Sequence, residues 1–70
     1  MNEIELKKLI ALLNHWIEHC QEHSQEFSEW AIKANSAGFT TIHECMISAA
    51  NDMIKVKESL ALALSKLKNS

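Results

Sequence analysis

One glycine and no proline in 70 residues constrain this chain more than any other feature. A β-rich fold of that length needs several tight turns, and the residues that make them are missing. The expectation is an all-α fold, with Gly38 marking its single reversal. Hydrophobic residues at 47% against 23% charged give the balance of a folded chain, not a disordered one.

Apolar residues before Gly38 fall at Leu6, Leu9, Leu13, Trp16, Cys20, Phe27, Trp30 and Ala34, with His23 filling the one missing step. The gaps alternate between three and four, which is a heptad seam. Ile10, Ile17 and Ala31 widen the stripe, as in a helix that belongs to a bundle. Asn2 and Glu5 make a capping-box-like start, so the first helix is expected over about residues 3–36. After a turn at 37–41, Ile42, Met46, Ala49, Met53, Val56, Leu60, Ala63 and Leu67 repeat the alternation. Thr41 and Glu44 read as a second capping box, opening a helix over about 42–68.

A linker this short permits only an antiparallel hairpin, one domain spanning residues 1–70. Folding about Gly38–Phe39 sets Phe27 opposite Met53 and Cys20 near Leu60. Cys20 and Cys45 are then several turns apart, beyond the ~7 Å that a disulfide spans, which favours reduced thiols. Two helices cannot shield a stripe three positions wide. Pairing of two hairpins into a four-helix bundle, as a homodimer, is the simplest remedy.

Net charge excludes some partners. Nine acidic residues oppose seven lysines, and there is no arginine, so a nucleic-acid partner is disfavoured. No apolar run reaches the ~20 residues of a membrane span, and the acidic start carries no secretory signal, so a cytoplasmic location with no membrane partner is expected.

Residues 15–26 carry the clearest chemical pattern. His15-x-x-Glu18, His19-x-x-Glu22 and His23-x-x-Glu26 repeat in register, and on a helix such residues are neighbours. The three imidazoles form one ridge that winds from the outer face at His15 to the seam at His23. Imidazoles four residues apart can chelate a divalent ion, with a carboxylate as third ligand or as a partner to a ligand. His15, His19, Glu22, His23 and Glu26 are the expected metal ligands. No lysine lies between Lys8 and Lys33, so Glu18, Glu22, Glu26 and Glu29 make an acidic belt that attracts cations.

Plainer readings compete. Histidine and glutamate on an outer face are often simply solvated. A histidine in a seam can fix register or respond to pH. Cys20 reads as a small core residue, Trp16 and Trp30 as core anchors, and Met46 and Met53 as filler. His43 reads as a surface residue at a helix start; it and Cys45 reach the ridge only across a subunit interface. No catalytic constellation is legible. Di-iron bundles place glutamate three residues before histidine, and that order is absent here, so no enzyme activity is expected.

The run His15-Trp16-Ile17-Glu18-His19, continuing through His23, Glu26, Phe27 and Trp30 to Ala34, resembles a group of small uncharacterised helical domains. These share an H-W-I-E-H core, an H-x3-H-x3-H repeat, an aromatic pair and a second helix after a glycine. The resemblance implies a helical hairpin and an association with transition-metal handling. Cys20 departs from the polar residue expected there, which leaves the ligand set open. The leading expectation is a small protein binding nickel, cobalt or zinc, ahead of iron, for storage, sensing or delivery. The competing one is a non-catalytic helical dimerisation or protein-interaction module with no metal.

Overall fold

The computed structural model describes residues 1–69. Within them are two helices and no strand: α1 over Glu3–Ser36 and α2 over Thr40–Lys68. They lie side by side as an antiparallel rod of 52 × 15 × 13 Å. Neither is long and apolar enough to cross a membrane.

Both ends of α1 follow from local chemistry. Asn2 Oδ1 accepts the Glu5 N–H at 2.8 Å, satisfying one orphan donor of the first turn. At the other end Gly38 adopts φ +88°, the left-handed region. The Gly38 N–H then donates to Asn35 O at 3.0 Å, and the Phe39 N–H to Ala34 O at 2.9 Å. That bond pair is a Schellman closure. It also corrects the start of the second helix. The closure leaves Phe39 in the capping position, and its carbonyl at once accepts the His43 N–H at 3.0 Å. The chain is therefore helical from Thr40, two residues earlier than expected. Thr41 lies inside the helix, and no side chain caps it.

A Cβ on residue 38 would meet nothing within 4 Å. The cost of Gly38→Ala is therefore conformational alone, about 1–2 kcal/mol for an L-residue held left-handed. Urea denaturation of Gly38→Ala should show that loss, and Gly38→Asn should recover part of it.

The register is tighter than folding about Gly38–Phe39 suggests. The Ser24 hydroxyl donates to Ala50 O at 3.1 Å, and the His43 ring meets Ala31 O. The hairpin thus closes about residue 37, so Phe27 sits more than a turn and a half from Met53, and Cys20 as far from Leu60. Cys20 and Cys45 remain about nine residues apart in level, or ~13 Å of helix. Both thiols are free, Cys20 buried and Cys45 exposed.

The core itself differs from the expected seam. Leu13, Cys20, Ser24, Ala31 and Ala50 are the buried residues. In each helix one ladder of the seam points inward as expected: Leu13, Cys20, Phe27 and Ala34 in α1, and Met46, Met53, Leu60 and Leu67 in α2. The second ladder is displaced by one residue. Ile17, Ser24 and Ala31 replace Trp16, His23 and Trp30; His43, Ala50, Lys57 and Leu64 replace Ile42, Ala49, Val56 and Ala63. Small residues explain the choice. Ser24, Ala31 and Ala50 let the two backbones approach closely enough for side chain-to-carbonyl bonds, which two tryptophans at the crossing would forbid. Trp16 and Trp30 are therefore not core anchors, and His23 is not in the seam.

Candidate functional site

Two features are left on the outside of this hairpin. The first is apolar. Trp30 is 57% exposed, Trp16 41%, Ile42 51% and Val56 47%. Seven-residue steps keep Trp16, His23 and Trp30 on one side of α1, and Ile42, Ala49 and Val56 on one side of α2. At the turn end the two sets share a groove. Trp30, Lys33, Ala34, Ala37, Phe39, Ile42 and Met46 line an open apolar cavity of ≈ 390 Å³. The displaced ladders therefore make one continuous face. Lys33 Nζ lies 4.2 Å from the Trp30 ring centroid, covering part of that ring with a cation.

The opposite side is polar at mid-length. Lys57 Nζ, half-buried at an inward position, donates to Gln21 Oε1 across the helices. Among the described residues no buried side-chain nitrogen or oxygen lacks a partner.

The second feature is the histidine ridge. The rings of His15 and His19 have centroids 4.2 Å apart, and those of His19 and His23 5.8 Å. His23 stacks near Phe27 at 6.0 Å, and its Nδ1 lies 3.8 Å from Glu26 Oε1. His15, His19, Glu22, His23 and Glu26 are all exposed. The i,i+4 spacing delivers the ring ladder that the sequence implies. Convergence is a different matter. Among the described residues no three His, Cys, Asp or Glu side chains are arranged to hold a metal ion. Imidazoles suit zinc, nickel and cobalt, but one hairpin supplies them as a row along a helix and not as a pocket. Because His23 is exposed, a register-fixing or pH-sensing role in the seam has no basis.

His43, expected on the surface at a helix start, is part-buried between the helices. Its Nδ1 lies 2.8 Å from Ala31 O, in the part-buried crossing near the turn. A carbonyl only accepts, so Nδ1 carries a proton and donates it to Ala31 O. His43 is thus a tie between the helices and not a free surface residue. Its inward ladder reads His43, Ala50, Lys57, Leu64, too polar to stand out beside the outward Ile42, Ala49, Val56, Ala63.

Residues 9–67 match a family described as a domain of unknown function, DUF8180. An uncharacterized protein of Archaeoglobus fulgidus is 37% identical over 59 residues, covering 84% of this chain and 94% of its own length. No solved structure matches the chain. The resemblance to a small uncharacterised domain group thus holds, with an archaeal relative. Neither description mentions a metal, so the association with metal handling rests on the residues alone.

Proposed function

The chain belongs to the DUF8180 family, and from that premise we propose a non-catalytic helical module that pairs with a second copy of itself through the Trp16–Trp30–Val56 face. The observation that carries this reading is the direction of the displaced ladders. α2 turns its more apolar second ladder outward and its more polar one inward, and α1 turns both of its tryptophans outward on the same side. The close crossing of the hairpin leaves the two tryptophans, Ile42 and Val56 exposed, and a second copy seated on that face would bury them.

The surface area agrees. The hairpin exposes 5232 Å². A compact monomer of its mass exposes about 4,400 Å². The excess of about 800 Å² equals what one partner contributes to a standard interface. Two hairpins joined face to face give a four-helix bundle with isologous symmetry, in which the tryptophans become interior.

Sedimentation velocity on metal-free, reduced protein across a wide concentration range tests this directly. The expected result is a monomer–dimer equilibrium with a blue shift of tryptophan emission as the dimer forms. A monomer that persists to millimolar concentration, with emission unchanged, would mean that the face serves another protein's helix.

A second reading, a divalent transition metal held for storage, sensing or delivery, is favoured by the contiguous rings of His15, His19 and His23 in the lysine-free belt. Its difficulty is the lack of three converging ligands among the described residues of one hairpin.

A further inference from the structure

The pairing reading leaves the histidine ridge unused, and the position of that ridge along the rod gives it a role. Resting on that reading, we infer that a divalent transition metal bridges the two copies, bound by His19 and His23 of each chain.

His23 belongs to the same outward ladder as Trp16 and Trp30, so it enters any interface those residues form. His19 stands one turn before it, on the next row outward, at the rim of the same face. His15 is a further row round and faces away. Level matters as much as face. His19 sits at the midpoint of α1, which runs Glu3–Ser36, and His23 is one turn beyond. A closed dimer has a two-fold axis. An axis along the rod superposes equal levels of the two copies. An axis across the rod exchanges its ends and keeps only the middle level in place. In either arrangement the mid-length histidines of one copy stand at the level of those in the other, and the axis across the rod also lays α1 of one copy on α1 of its partner. His43, near the turn, meets its counterpart in only one of them.

The ligand arithmetic follows. Among the described residues one hairpin lacks three converging ligands. Two copies supply four imidazoles within about one helical turn of mid-length, enough in number for a tetrahedral zinc site. Charge supplies the reason for a cation. Pairing with the two α1 helices adjacent brings the two Glu26 carboxylates, on the same rim row as His19, toward each other, and they repel. A divalent ion between them offsets that repulsion and favours this orientation. Glu26, already beside His23 at 3.8 Å, is placed to orient its ring.

Zinc is the probe. The full chain, kept reduced with a phosphine, is titrated by calorimetry and followed by sedimentation equilibrium with zinc or with EDTA. The expected result is one ion per two chains, with association at least tenfold tighter in zinc. His19→Ala with His23→Ala should abolish the zinc effect, so that this variant associates equally in zinc and in EDTA. His15→Ala and Cys45→Ser should behave as wild type. One ion per chain with no change in association would overturn the bridge and leave the pairing reading standing, as would no saturable binding in a protein that dimerises in EDTA. Loss of the zinc effect in His15→Ala would move the ligands onto one chain and also overturn it. A monomer in both zinc and EDTA would overturn the bridge and the pairing together.

Discussion

Replacing Trp16 and Trp30 together by alanine is expected to weaken self-association by about a thousandfold while leaving the hairpin helical. Buried tryptophans at interface centres typically cost ~2 kcal/mol or more on truncation, and each 1.4 kcal/mol is tenfold in affinity. Neither ring fills the crossing between α1 and α2; that space belongs to Ile17, Ser24 and Ala31. The far-ultraviolet signal of helix should therefore survive under conditions where sedimentation equilibrium finds a monomer. Apparent thermal stability should fall with the dimer, and lose its dependence on concentration, because association stabilises by mass action. An unchanged dimerisation constant would show that copies meet through another surface. Collapse of helicity at all concentrations would show that the tryptophans pack within the hairpin after all.

The second large effect is expected at Ala31. Its side chain is completely excluded from solvent, and its carbonyl faces the His43 ring at the tightest part of the crossing. Ala31→Leu must either splay the helices or force strained rotamers. Overpacking of this kind costs about 1–3 kcal/mol. A chain of this size has only about 4–10 kcal/mol of stability in total. At ~4–8 °C per kcal/mol for a small domain, Tm should drop by about 5–20 °C. The neighbouring Ile32 is 62% exposed, and Ile32→Ala should move Tm little. Equal effects at the two positions would mean that the helices do not meet where the structure places them. Ala31→Leu also loosens the His43 tie, so fast exchange of the His43 ring proton by NMR should accompany the loss.

The histidine ridge shows how far a repeat can be read. Three H-x-x-E units on one helix must form a ladder of rings, because the helical rise and twist allow nothing else, and the ladder is present. Which way the ladder faces was a different question. Placing His23 in the seam depended on choosing Trp16 and Trp30 as its neighbours in the core, and the crossing chose Ser24 and Ala31 instead. His43 illustrates the converse. Nothing in its neighbours along the chain marks it, and its partner is a backbone carbonyl twelve residues away, on the other helix.

The sequence by itself determined the two helices, their lengths within a residue or two, the cap at Asn2 and the reversal at Gly38. These depend on local propensities, on hydrogen bonds between residues a few positions apart and on one backbone conformation that glycine alone adopts cheaply. Only the tertiary structure decided which two of the three apolar ladders meet, the register at which Ser24 faces Ala50, and hence that Trp16, His23 and Trp30 look outward. Periodicity reports that a stripe is apolar, but it does not report how closely two stripes can approach. That is set by side-chain volume at the crossing, where alanine and serine admit a neighbouring helix and tryptophan does not.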